Sequence, residues 1–261
     1  MIGLMNTRYV IANYLPVSIV RPASKATFTL CLSKLGQPGL SMDALVDQMF
    51  DFLSDKEDIK TALSWLEAQY IQIEPNQRYV LTTWQKHSIV KGLFKSRDFN
   101  RNFKERILAV MLGVDQSDLA KNCRAHCYAS LPDPKTKALV WEQITDPGNP
   151  DSSIVKAAKM TGFASKEQID LLEPYFDKFF DTLVLQSKMS SYKSLCSFFH
   201  AMLPRLSVKD EYIFRLYQLL YDTPDRQGPF QSTLKDGIDI LFRTQRIVQL
   251  AIKDSDQIQF S

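Results

Sequence analysis

Apolar residues recur every three or four positions along nearly the whole chain, and this spacing places them on one face of an α-helix. A clear example runs from Ser41 to Leu53, where Ser41 is placed to accept a hydrogen bond from the first helical turn. Asp55 can cap the next helix in the same way, and Asp98 the helix after that. The pattern therefore predicts an all-α protein of about a dozen short helices.

The same spacing predicts which residues face the core. They include Ile59, Leu63, Leu66, Tyr70 and Ile73 after Asp55; Phe103, Ile107, Val110 and Val114 after Asp98; and Leu234, Ile238, Leu241, Val248 and Ile252 in a long last helix that Gln245 interrupts. Short helices with one apolar stripe must stack on their neighbours. We therefore expect a HEAT-like α-solenoid, a curved stack of helices, as a single helical-repeat domain over residues 1–261 with degenerate repeats.

Two segments depart from the simple pattern. Residues 71–83 alternate around a Pro-Asn turn, which favours a hairpin, although an isolated hairpin in a helical chain is only marginally stable. A hairpin is therefore not the preferred interpretation of this segment. In the segment from Phe163 to Leu183, Ser165 and Gln168 form a capping-box pattern, and Pro174 interrupts the apolar seam. A proline inside a helix predicts a bend that costs about 3 kcal/mol unless packing compensates.

Composition narrows the class of protein. The 32 lysines and arginines exceed the 29 acidic residues by only three, whereas a nucleic-acid-binding protein is usually more basic. Four cysteines in 261 residues fit reduced thiols. The N-terminal apolar run contains Arg8 and does not have the features of a signal peptide or of a membrane span of about 20 apolar residues. We expect a cytoplasmic protein with no membrane partner.

Several short motifs resemble the C-terminal helical domain of zinc aminopeptidases of the aminopeptidase N family, which includes endoplasmic-reticulum aminopeptidases. The matching residues are Lys137, Ala138 and Trp141, Gly162-Phe163, Leu171-Leu172-Glu173-Pro174-Tyr175, Phe179-Phe180 and Leu203-Pro204-Arg205. The similarity is best from about Ala125 to Arg205 and extends from about Val20 onward. The resemblance implies a HEAT-like bowl that closes over a catalytic domain and governs the access of peptides to it.

The chemistry of that family is missing from this chain. Its zinc site needs the pattern H-E-x-x-H on a helix, and none of the three histidines, His87, His126 and His200, is followed by glutamate. The Gly-x-Met-Glu-Asn segment of the family is missing as well. We therefore expect a non-catalytic fragment of a longer aminopeptidase. Its partners would be a peptide substrate and a catalytic domain in the same or a companion polypeptide, with zinc bound in that catalytic domain and no cofactor in this chain.

A different metal site competes with a plain core as the role of the cysteines. Cys123, His126 and Cys127 share a helix face, and Cys196 with His200 can in principle complete a zinc site. Free cysteines are, however, common on buried helix faces, and this interpretation is preferred. A cysteine-protease dyad is less favoured, because no cysteine lies at a predicted helix start, where its thiolate would be stabilised.

Basic residues interleave with aromatic ones between Lys86 and Arg106, an arrangement that can bind single-stranded nucleic acid or an acidic peptide. A solvated charged face explains most such runs, so a nucleic-acid partner is not expected. The candidates for attracting a peptide carboxylate are Lys95, Arg97, Arg101, Arg243 and Arg246.

The alternative function is a free-standing helical-repeat scaffold that binds a protein partner on its concave face. The two functions differ in what precedes Met1. An accessory domain predicts an upstream reading frame with H-E-x-x-H, whereas a scaffold predicts a true start at Met1 with a polar capping surface.

Overall fold

A computed structural model describes residues 2–189, 191–205, 207–222 and 228–258, and the side chains among them except those of residues 2, 188, 189, 229 and 251–258. The described part contains thirteen α-helices, two short 3-10 helices and one two-stranded hairpin. The α-helices are α1 Ile2–Asn13, α2 Val17–Ser33, α3 Met42–Met49, α4 Lys56–Ala68, α5 Thr83–Lys95, α6 Arg101–Leu112, α7 Asp118–Ala129, α8 Pro134–Thr145, α9 Ser153–Phe163, α10 Ile169–Met189, α11 Tyr192–Met202, α12 Asp210–Asp222 and α13 Gly228–Ile258. The 3-10 helices are Phe50–Phe52 and Lys166–Gln168. The predicted helical class is confirmed.

Side-chain caps fix where many of the helices begin. The oxygen of the capping residue accepts a hydrogen bond from a backbone N–H that has no partner inside the helix. The predicted caps Ser41 and Asp55 both form. Further caps are made by Thr82, Asn100, Ser117, Asp133, Ser152 and Ser191.

The hairpin suggested by the alternation does form, although it was not the preferred interpretation, and Tyr70 and Ile73, predicted to lie in the helix after Asp55, belong to its first strand. After α4, Gln69 adopts a left-handed φ of 70°, and the chain continues into β1 Tyr70–Glu74, which pairs antiparallel with β2 Gln77–Val80. The strands are tied to the helices at two points. Ile71 is buried in the core, and the Tyr79 hydroxyl donates to Asp43 Oδ1 at 2.5 Å. These contacts supply the stability that an isolated hairpin lacks.

The face predicted for helix α6 is only partly correct. Phe103 and Ile107 are half-buried and pack against the core, as predicted. Val110 and Val114 are 79% and 92% exposed, and Val114 lies beyond the end of the helix. The cap is Asn100, and the buried residues are Lys104, Leu108 and Leu112. The predicted stripe followed apolar residues only and so left a buried lysine out.

The predicted capping box at the start of α10 is also wrong. Ser165 makes no side-chain cap, and Lys166–Gln168 forms a 3-10 turn before the α-helix begins. The Gln168 amide donates instead to the backbone carbonyls of Lys95 at 2.7 Å and Ser130 at 2.9 Å. The buried Gln168 amide thus joins the 3-10 turn to the ends of α5 and α7.

Pro174 lies inside α10, as predicted, on an exposed position.

The long last helix buries the first part of its predicted stripe. Leu234, Ile238 and Leu241 are all buried, as the spacing predicts. Gln245, which interrupts the stripe, donates from its amide to Asp210 Oδ1 at 2.6 Å, at the start of α12. The side chain of Ile252 lies outside the described residues.

The core consists of two clusters of buried apolar residues. The first is built from α1 to α7 together with the hairpin, and the second from α8 to α13 with Ala129. The main junction is the packing of α9 against α7. There Gly162 lies so close to α7 that a Cβ atom would stand 2.3 Å from the His126 carbonyl oxygen. A glycine is therefore required for the two helices to approach this closely.

Of the helices in the described ranges, none has both the length and the apolar character needed to cross a bilayer.

Candidate functional site: an apolar cavity with three cations

A cavity of about 700 Å³ lies where α1 meets the second core cluster. Its walls come from α1, the 3-10 helix Phe50–Phe52, α8, α9, α10 and the end of α11. The apolar and aromatic side chains of the lining are Leu4, Met5, Tyr9, Ala12, Phe52, Trp141, Phe163, Ala164, Leu172, Tyr175, Ala201, Met202 and Leu203. A largely preformed, mostly apolar concavity with a few polar groups is the usual form of a ligand site.

Three aromatic rings form one corner of the cavity. The ring centroids of Trp141 and Phe163 are 5.9 Å apart, those of Trp141 and Tyr175 are 5.2 Å apart, and those of Phe163 and Tyr175 are 5.1 Å apart. The three residues come from α8, α9 and α10, so each helix contributes one ring. Such pairs add stability beyond the area they bury, and they fix the shape of this wall.

Lys137 supports this corner from behind. Its ammonium is fully buried and donates to the Ala129 carbonyl at 2.8 Å and the Phe163 carbonyl at 2.9 Å, where α7 and α9 end. It also lies 5.1 Å from the centroid of the Phe163 ring. Burial lowers the pKa of Lys137 to about 7. The lysine thus satisfies helix-end carbonyls and holds Phe163 in place.

Lys166 lies in the 3-10 turn between α9 and α10 and lines the cavity. Its side chain is only 9% exposed, and its ammonium makes no hydrogen bond or ion pair with any described residue. Burial lowers its pKa to about 8. Its ammonium faces the cavity rather than a protein acceptor, so an anion bound there would stabilise its charged form.

Arg205 is the second cation of the lining, directly after the Leu203-Pro204 corner. Its Nη2 donates to the His200 carbonyl at 2.5 Å, which uses one of the five donors of the guanidinium. Burial lowers the pKa of Arg205, whereas the neighbouring Tyr9 and Tyr14 hydroxyls raise it. A second cavity of about 380 Å³ shares Lys166 and Arg205 with the first, so the two cations lie between the cavities.

The third cation is already neutralised. Arg8 Nη1 donates to Asp51 Oδ2 at 2.7 Å. Burial raises the pKa of Asp51, and the nearby Arg8 acts in the opposite direction. Among the described residues that line this cavity, Asp51 is the one carboxylate, against the three cations Arg8, Lys166 and Arg205. Two positive charges therefore remain without a carboxylate among the lining residues.

The five cations predicted from the sequence lie outside this cavity. Lys95 pairs with Glu167 at 3.4 Å and Arg97 with Asp170 at 2.5 Å, so these two lie together at the start of α10. Arg101 pairs with Glu105 at 2.7 Å within α6, and Arg243 with Asp239 at 2.6 Å within α13. Arg246 is exposed on α13. The structure thus brings two of the five together.

The possible metal ligands do not converge. Cys123 and Cys127 lie with their sulfur atoms 3.9 Å apart, whereas Cys196 contacts the Thr233 hydroxyl at 3.2 Å. Burial lowers the pKa of His126 to about 3, and His200 lines the apolar cavity. In the described ranges, no group of three or more His, Cys, Asp or Glu side chains is placed to hold a metal ion.

Lys166 was missed by sequence reasoning. A lysine in the first turn of an amphipathic segment is normally a surface residue, and nothing in the apolar spacing distinguishes this one. Arg205 stood out only as part of the Leu203-Pro204-Arg205 motif.

No family model matches the chain, and no curated protein is significantly similar to it in sequence.

Proposed function

We propose that the chain is the non-catalytic C-terminal helical domain of a zinc aminopeptidase of the aminopeptidase N type. In this role it encloses the space around a peptide and governs the access of peptides to a catalytic domain. That domain belongs to the same or a companion polypeptide and carries the zinc. The compartment we propose is the cytoplasm.

One observation carries this proposal: residues of the motifs that resemble the family converge on a single cavity. Trp141, Phe163 and Leu172 lie in its wall, as do Tyr175 and Arg205. These residues come from four separate motifs, so their common position follows from the fold. Apolar walls with a few charged groups suit a peptide with apolar side chains.

The packing order of the helices supports the HEAT-like arrangement that we propose for this domain. Consecutive helices contact each other at many steps, including α2 with α3, α4 with α5, α7 with α8, α8 with α9, α10 with α11 and α12 with α13. Stacks of helical hairpins pack in this way, because each apolar stripe is covered by its neighbour in sequence.

Peptide binding to the purified chain tests the proposal directly. Titration calorimetry with apolar peptides of about eight to ten residues should show saturable binding to a single site. Ala12 lines the cavity from α1 and is exposed to it, so Ala12→Phe should fill the space and weaken binding by about 10-fold or more. Ala109→Phe is the matched control, since Ala109 is an exposed alanine of α6 outside the lining.

Two results would contradict the accessory role. One is equal peptide affinity for Ala12→Phe and the unsubstituted chain, which would place the peptide elsewhere. The other is metal-dependent hydrolysis of an aminoacyl substrate by this chain alone. The expected result is no turnover above background with or without added zinc, because the H-E-x-x-H pattern is missing from the sequence.

A further inference from the structure

We propose that the 700 Å³ cavity is a binding site for a carboxylate with an apolar tail, such as a medium-chain fatty acid, with the carboxylate held between Lys166 and Arg205. This site follows from burial, charge and shape. It would exist whether or not the chain serves a peptidase.

Lys166 differs from the other buried lysines in its hydrogen bonding. Lys104 donates to the carbonyls of Phe94 and Ser96, and Lys137 donates to two helix-end carbonyls. Lys166 is more exposed, at 9% against 1% for Lys104 and 0% for Lys137, and no described residue accepts a hydrogen bond from its ammonium. Its side chain lines the cavity. An ammonium that faces an apolar cavity without a protein acceptor is placed to donate to an anionic ligand.

The charge beside the cavity that no lining carboxylate neutralises is positive. Asp51 is bound to Arg8, so it does not neutralise Lys166 or Arg205. His200 gives Arg205 only a backbone carbonyl, which leaves the planar guanidinium with further donors for an anion. An anionic group bound here would lower the cost of burying both cations.

The lining of the cavity determines which kind of molecule can carry the anionic group. Most of the lining is apolar or aromatic, with Trp141, Phe163 and Tyr175 at one corner, and its uncharged polar members are Asn13, Gln48, Thr161 and His200. Such a lining disfavours a highly polar molecule, because most of its hydroxyl or phosphate oxygens would lose their water without replacement. A monocarboxylate has two oxygens for two cations and a tail that gains from burial. This chemistry selects an amphipathic carboxylate over a phosphate ester.

Calorimetric titration of the whole chain with decanoate and with decanol tests the site without any substitution. The two probes share the same tail, so their difference reports the carboxylate. We expect decanoate to bind at one site and decanol to bind about 10-fold or more weakly. Equal affinity of both probes, or no binding of decanoate, would overturn the proposal.

Substitutions then locate the carboxylate. Lys166→Met keeps the apolar stem and removes the charge, and it should weaken decanoate binding about 10- to 100-fold while leaving decanol unchanged. Lys135→Met removes an exposed lysine of α8 outside the lining and is the matched control. Arg205→Lys keeps one charge and loses the guanidinium fork, so an intermediate loss is expected. If Lys166→Met binds decanoate as well as the control does, the assignment is wrong.

A peptide arm separates this site from the proposed function. If decanoate binds and none of the tested peptides binds, the peptidase role fails and the fatty-acid site stands. If a peptide ending in leucine binds through its free carboxylate, its amidated form does not, and decanoate fails to bind, the fatty-acid assignment is overturned. Competition between decanoate and a peptide supports both.

Discussion

Gly162→Ala tests the closest approach between the two halves of the core. A Cβ atom at this position would lie 2.3 Å from the His126 carbonyl oxygen, 3.0 Å from its carbonyl carbon and 3.1 Å from the Ala129 Cβ. Carbon–oxygen contacts of this kind normally begin at about 3.3 Å, so α9 must retreat from α7 by about 1 Å. The obstacle is backbone, and it cannot rotate away as a side chain can.

The magnitude follows from two opposing terms. Alanine is favoured over glycine in a helix by about 1 kcal/mol. Overpacking in a filled core costs about 1 to 3 kcal/mol, and a clash with backbone belongs at the upper end of this range. The retreat of α9 would also strain the bonds from Lys137 to the ends of α7 and α9. We expect a net loss of about 2 kcal/mol in the free energy of unfolding.

Urea unfolding followed by circular dichroism measures this loss, and thermal unfolding should show a fall of about 4 to 8 °C. Gly3→Ala is the matched control, since Gly3 lies in α1 and a Cβ atom there would meet no neighbouring group within 4 Å. It should raise stability by up to about 1 kcal/mol. If Gly162→Ala is as stable as the unsubstituted chain, the close packing of α7 and α9 is refuted.

Three further substitutions test contacts that hold the elements together. Burial lowers the pKa of Lys137 to about 7, against 10.5 for a free lysine. Between these two pH values the lysine is protonated in the unfolded chain and mostly neutral in the folded chain. The free energy of unfolding therefore rises with pH from about 7 to about 10.5. Lys137→Met should remove this part of the slope in urea unfolding at pH values from about 7 to 9.5, and an unchanged slope would contradict the burial of its charge. Tyr79→Phe removes the hydroxyl that donates to Asp43 of α3 and accepts from the Gln85 amide, and it should cost about 1 kcal/mol in urea unfolding, whereas no loss would show that these bonds do not stabilise the hairpin. Gln168→Leu leaves the carbonyls of Lys95 and Ser130 without their donor and should cost about 2 kcal/mol or more, and a neutral result would mean that water replaces the amide.

Local chemistry explains why most helices were predictable. The apolar spacing and the capping residues Ser41 and Asp55 act within a few positions of the sequence, so they can be recognised without knowing the tertiary structure. The hairpin was harder because its stability depends on distant residues. Tyr79 reaches Asp43, 36 positions away, and no local pattern contains that contact.

The candidate site was not predictable because the residues on its two sides are even farther apart in the sequence. Its wall joins α1 to side chains between Trp141 and Arg205, so more than a hundred positions separate the two sides. Of the cations chosen from the sequence, Lys95, Arg97 and Arg101 belong to a local basic run, and the other two lie on α13. In the structure Arg97 pairs with Asp170, an acidic residue 73 positions away, and such pairing cannot be seen in a charge pattern alone.

Buried lysines are where the sequence pattern and the structure differ most, and the difference has one physical cause. A helix ends with carbonyls that have no partner inside it, and the helix dipole makes that end negative. Lys104 answers this need at the end of α5, and Lys137 does so at the ends of α7 and α9. An interpretation that assigns every lysine to the surface therefore misses Lys104 in the buried face of α6 and includes the exposed Val110. Lys166 has no such carbonyl partner among the described residues and lines the cavity, which is why the proposed carboxylate is placed beside it.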